Sequence, residues 1–196
     1  MREERCDGVS EFDWRDFLEQ WSKEALAASD AHTAFPQDVV QSGWLGISGA
    51  SEEQIKHAEA RLGTTLPPSY RTFLATSNGW RIGDTGDQLW SIEEVAWFAD
   101  KHQDWVDIWV QNTYPVADDQ YFVYDGNQDT AYLRPEYLQT ALEISPLRDE
   151  AVYLLNPRVV TAEGEWEVLF FANWLPGAAR YRSFKDMMQT IRSSSR

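Results

Sequence analysis

The residues best suited to chemistry begin with a loop. Asn78-Gly79-Trp80-Arg81-Ile82-Gly83-Asp84-Thr85-Gly86-Asp87 carries three glycines and two aspartates. A dinucleotide site needs Gly-x-Gly-x-x-Gly between a strand and a helix, and a phosphate loop needs Gly-x-x-x-x-Gly-Lys-Ser/Thr. Neither spacing occurs, no lysine follows, and Asp84 and Asp87 would repel phosphate. Carboxylate pairs come next. Asp118-Asp119 could bind a hard cation, and Asp125, Asn127 and Asp129 copy the first half of a calcium loop. Thr130 stands where that loop continues with glycine, so a hairpin turn is the better reading. His32, His57 and His102 lie far apart and in no His-Glu-x-x-His pattern. A Ser-His-Asp triad stays open, but no Gly-x-Ser-x-Gly elbow marks a nucleophile. Cys6 is the only cysteine, which excludes an intrachain disulfide and a multi-cysteine zinc site. Neither a cofactor nor a metal is expected.

Charge is more informative. The formal net charge is −15. Such a chain is a poor ligand for nucleic acid or an anionic membrane surface, both of which need Lys and Arg. It suits a basic protein partner. From Asp84 to Asp129 there are eleven acids and one base, Lys101. Among them stand Trp90, Trp97, Trp105 and Trp109. The segment therefore reads as a partner surface with aromatic anchors in an acidic field, set against a solvated face as the plain alternative. Its candidate contacts are Asp84, Asp87, Trp97, Asp100, Asp104, Asp107, Asp118, Asp119, Asp125 and Asp129. Trp105 and Trp109 would share one face of a helix, which points to core packing for some of the tryptophans.

These residues need elements to position them. Trp14, Phe17, Leu18, Trp21 and Ala25 follow helical periodicity over 13–28. A loop through Pro36, Ser42 and Gly43 follows. Ser51 and Gln54 form a capping-box pattern ahead of a helix that Gly63 would close. Pro68 suits the first position of the next helix, and Asn78-Gly79 can take the left-handed conformation that stops it. Ile92–Phe98 reads as a short helix or an irregular apolar stretch. Tyr121–Tyr124 and Ala131–Leu133 read as a hairpin across Asp125–Asp129. Ala151–Leu155 is a strand ended by Asn156-Pro157, and Trp166–Trp174 is a central strand. Ser183 caps a last helix, with a frayed tail over 193–196. Helices, then strands, then one helix give an α+β domain with an antiparallel or mixed sheet. The start, Met-Arg-Glu-Glu-Arg-Cys-Asp-Gly, leads into no apolar run. No secretion signal or membrane span is expected, and the chain reads as cytoplasmic.

The run Ser51–Ile55, Glu59–Gly63, Leu66-Pro67-Pro68-Ser69-Tyr70, Phe73-Leu74 and Asn78-Gly79-Trp80 resembles the signature of the SUKH superfamily, named in part for fungal Smi/Knr cell-wall regulators. Tyr181-Arg182-Ser183-Phe184 resembles the start of that family's last helix. The resemblance places an N-terminal helical extension at 1–43, a SUKH-like domain at 44–192 and a tail at 193–196. It implies a single non-enzymatic domain. Many bacterial members are immunity proteins that bind and block a toxin delivered by a competing cell.

The reading that follows is a binder that occludes a cognate, basic toxin, for which a nuclease is the natural guess. Two alternatives stand beside it: a regulatory scaffold closer to the fungal members, and a metal-dependent enzyme using the 118–129 carboxylates.

Overall fold

A computed structural model describes residues 12–28, 34–82, 87–112 and 114–194. Helix α1 (Trp14–Ala28) opens on Asp13, whose carboxylate accepts the Asp16 N–H at 3.0 Å. Trp14, Leu18 and Trp21 recur on one helical side and are buried in the main core. The 13–28 periodicity therefore reports a real core face. Residues 37–42, expected in a loop, form the short helix α2 (Gln37–Ser42), which buries Val39 and ends on Gly43 in the left-handed conformation.

Helix α3 (Glu52–Leu62) starts with both halves of the capping box, Ser51 accepting the Gln54 N–H and Gln54 accepting the Ser51 N–H. It closes on Gly63 at φ 69°. Helix α4 (Pro68–Thr76) has Pro68 at its first turn and buries Tyr70, Phe73 and Leu74. Its end differs from expectation. Ser77 is extended and Gly79 sits at φ 129°, so Asn78-Gly79 is not a left-handed cap. Asn78 is used otherwise. Its carboxamide accepts the Ile92 N–H at 2.8 Å and donates to Glu93 at 2.9 Å, which pins the following loop to the helix exit.

Strands β1 (Trp80–Ile82) and β2 (Asp87–Leu89) form a separate antiparallel hairpin. The main sheet contains β3 (Ala96–Trp97), β4 (Leu142–Glu143), β5 (Ala151–Val160), β6 (Trp166–Ala172) and β7 (Ala178–Tyr181) in that spatial order, all antiparallel. Thus Ile92–Phe98 yields a turn and a two-residue strand. Strand β5 does not stop at Asn156-Pro157. It passes through a bulge there and pairs again at Val160 with Trp166, as tolerated for proline at irregular strand positions.

Both faces of the sheet are covered, which explains why Trp166–Ala172 is a nearly continuous apolar run. Leu155 and Val168 face α1, α3, α4 and α7 (Phe184–Ser194). Val152, Leu154, Leu169 and Phe171 face a second, smaller core formed with helix α5 (Phe98–Asn112). Ser183 accepts the Asp186 N–H and caps α7, which continues to Ser194, so Ser193 and Ser194 belong to the helix rather than a tail.

The expected hairpin at 121–133 is absent. Helix α6 (Asp118–Tyr121) is followed by a 3-10 turn at Asp125–Asn127 and irregular chain. The cause lies in the sheet beneath. The Arg180 guanidinium donates to the main-chain carbonyls of Val123, Asp129 and Tyr132. It thereby satisfies groups that a strand ladder would otherwise use. Gln128 completes the arrangement: its side-chain amide accepts the Arg180 N–H at 2.7 Å and donates to the Arg180 carbonyl at 3.0 Å. One side chain thus pairs with β7 as a neighbouring strand would, and blunts that edge.

Candidate functional site

Helix α5 carries the largest group of predicted contacts. Asp100, Asp104 and Asp107 are exposed; Asp104 and Asp107 stand three residues apart after the kink at His102, and Asp100 precedes it. Val106 is buried on the inner side, and Trp105 and Trp109 lie 5.8 and 5.1 Å from the Phe171 ring. These tryptophans anchor the helix to the sheet, as their spacing suggests. Trp97 is half-buried against the main core. The acidic side of α5 therefore draws its aromatic neighbours inward.

Lys101, the lone base of the acidic segment, turns toward the sheet. Its ammonium lies 4.5 Å from the Trp90 ring centroid and 3.8 Å from the Glu143 carboxylate. Glu143 is 1% exposed, and His102 Nε2 lies 3.4 Å from its other oxygen. Burial pushes the Glu143 carboxyl above its ordinary pKa, while His102 and Lys101 pull it back. Helix α5 is kinked at this point, with His102 at φ −130° and ψ 35°. Lys101 is thus paired with the buried acid on β4 while its side chain stays half-exposed.

The other predicted contacts are dispersed. Asp118 is ion-paired with Arg134, whose guanidinium also lies 4.6 Å from the Tyr121 ring centroid. Asp119 is exposed beside it. Asp125 lies 3.4 Å from Arg182, and Asp129 accepts the Ala131 N–H at 2.9 Å. Asp87 sits elsewhere, on β2, and borders a hollow with Tyr153, Phe170 and Trp174. Asp84 lies outside the described residues. The stretch 84–129 is therefore not one face. It contributes an acidic side of α5, an acidic turn at 118–119, and a separate position at the β1–β2 hairpin.

Among the described residues, no group of three His, Cys, Asp or Glu is placed to hold a metal ion. No helix among them is long and apolar enough to cross a membrane.

The sequence reading missed a groove at the C-terminal end of α5. It has a volume of about 600 Å3 and is lined by Ile108, Trp109, Tyr114, Val116, Ala131 and Tyr132, among others. Tyr114 is 87% exposed and Ile108 57% exposed. Spacing alone gives no signal for it: Ile108 stands three residues after Trp105 and Val110 four after buried Val106, the same-face intervals of a helix, yet both are exposed.

A buried polar cluster was also missed. Glu167 is 1% exposed and accepts from Tyr121 Oη at 2.7 Å, Tyr124 Oη at 2.8 Å and Asn156 Nδ2 at 2.8 Å. Burial raises its carboxyl pKa, against the opposing pull of those donors and of Arg180. The same burial, together with the Glu167 charge, raises both tyrosine hydroxyls. This cluster fixes the irregular 121–132 chain that borders the groove.

Residues 49–190, most of the chain, match the sequence model of the SMI1/KNR4 family (SUKH-1). The chain belongs to that family. Among curated proteins no relative matches it. The SUKH-1 match begins just before the capping box of α3 and ends within α7. Inside it, Tyr70, Phe73 and Leu74 are fully buried and Asn78 holds the 92–93 turn. The residues that carry the resemblance are thus structural. Helix α1 lies outside the matched span, yet Trp14 and Trp21 belong to the same core.

Proposed function

We propose that this SUKH-1 protein is a cytoplasmic, non-enzymatic immunity protein. It binds a cognate bacterial toxin and neutralises it by stoichiometric occlusion. The acidic side of α5, with Asp100, Asp104 and Asp107, faces a basic region of the toxin, and Asp118 and Asp119 extend that field. Asp87, Asp125 and Asp129 are secondary contacts. One observation carries the reading: Asp100, Asp104 and Asp107 are all exposed along α5, the last two together after its kink, while Lys101 lies against Trp90 and buried Glu143. A face of single charge sign speeds capture of an oppositely charged partner. Speed matters for a protein that must reach a toxin before the toxin acts.

Co-purification with the product of the adjacent gene tests this function. A stable one-to-one complex that abolishes the toxin's activity is the expected outcome. A complex only with a host regulatory protein would move the reading to the scaffold role.

A further inference from the structure

We infer that the groove at the C-terminal end of α5 seats an apolar side chain carried on a basic segment of the partner; this rests on the acidic-surface reading above. The groove has the volume of a side-chain or small-ligand pocket, about 600 Å3. Its walls are aromatic and aliphatic: Trp109 and Ile108 from α5, Tyr114 and Val116 from the connection, and Tyr132 from the chain that follows the 3-10 turn. A second hollow of about 300 Å3 lies against it, and Tyr114, Pro115 and Val116 line both. This short connection is thus a ridge between two depressions, with the Tyr114 ring outermost. Contiguous exposed apolar surface with a pocket at its centre is the usual form of an anchor site.

Charge selects the class of partner. None of the residues lining the larger groove is charged. Acids are the chain neighbours of its lining residues instead: Asp107 precedes Ile108 in α5 and accepts from Gln103, Asp119 precedes Gln120 in α6, and Asp129 accepts the N–H of Ala131. Arg134 lines the smaller hollow, but its charge is matched by Asp118 and it also donates to the Val116 carbonyl. An apolar residue flanked by Lys or Arg fits both features. A second copy of this chain would bring its own acidic face to the same place and be repelled.

The test uses the full chain and a fluorescent, short helical peptide with leucines on one side and lysines on the other. Two controls accompany it: a peptide with alanine for leucine, and one with glutamate for lysine. The Leu/Lys peptide should bind about tenfold or more tightly than the Ala/Lys control, and the Leu/Glu peptide should not bind measurably. Ala131→Trp places an indole in the groove beside Tyr132 and should sharply reduce the leucine advantage while leaving Ala/Lys binding and the thermal midpoint unchanged. Should that variant fold poorly, amide shift mapping on the unaltered protein replaces it, with changes expected over 108–120 and at 131–132. Equal binding of the Leu/Lys and Ala/Lys peptides would overturn the groove and leave the acidic surface standing. Equal binding of the Leu/Lys and Leu/Glu peptides would overturn the basic partner class. Self-association of the protein that Ala131→Trp abolishes would assign the groove to a second copy and overturn the proposal.

Discussion

On one face of the sheet, rings pack against rings. Phe184 lies 4.8 Å from both Tyr70 and Phe73, and Trp14 lies 5.4 Å from Phe73. On the other face, a buried glutamate and a buried arginine hold chain that has little regular structure. The first layer is stabilised by removing large apolar surfaces from water, which is non-directional and tolerates modest repacking. The second has a smaller apolar core around Phe171, but its 121–132 chain depends on specific hydrogen bonds, where loss of one partner strands another. The difference teaches where variation can be housed. The family signature sits in the apolar layer. The candidate binding surface combines α5, anchored by Trp105 and Trp109, with the polar-tethered 121–132 chain, whose path is set by a few side chains rather than by a repeating ladder.

Substitutions can break this contrast, and the largest effect belongs to the apolar layer. Phe73→Ala should lower unfolding free energy by about 4 kcal/mol through lost burial and a residual cavity. Chemical denaturation would show one cooperative transition moved to lower denaturant. Arg180→Met should cost about 3 kcal/mol by leaving three main-chain carbonyls without their donor and removing the positive charge nearby that helps offset burial of Glu167. Its signature is local: amide exchange should accelerate over 121–132 beyond the rest of the molecule. If both variants loosened the whole molecule equally, the two layers would not be distinct in kind.

Ser51→Ala should cost about 1 kcal/mol, because only one first-turn N–H of α3 loses its acceptor. A thermal melt would measure it, with no change in peptide or partner binding. The smallest effect is a slope. Glu143 and Glu167 have carboxyl pKa values raised above the ordinary 4.5 by burial. Such groups bind their protons more tightly when folded. Their penalty is absent below the ordinary value and grows as pH climbs from there through the raised values. Glu143→Gln should therefore lose less stability than the unaltered protein across that window, as measured by denaturant midpoints at stepped pH.

The same contrast explains what was legible in the sequence. Ser51 with Gln54, Gly63 and Pro68 act within a few residues of themselves, so their roles can be read directly. Trp105 and Trp109 also announce an inward face through spacing alone. Tyr121–Tyr124 reads as a strand because its aromatic composition suits a half-buried ladder. Its actual path is decided by Glu167 and Arg180, more than forty residues away in the chain. Asn78-Gly79 misleads for a related reason, since the Asn78 carboxamide is engaged by Ile92 and Glu93 rather than by its own helix. The acidic count over 84–129 was plain, but its division into separate surface positions needed the three-dimensional placement. The groove emerged only when 114–116 and 131–132 came together at the end of α5.

The most direct test of the central claim is the association rate with the adjacent-gene toxin, measured at low and high salt for the unaltered protein and for Asp104→Lys/Asp107→Lys. An acidic capture surface on α5 predicts association slowed by about tenfold or more at low salt, with much of the salt dependence lost. Unchanged rates and unchanged salt dependence would place the binding surface elsewhere on the molecule.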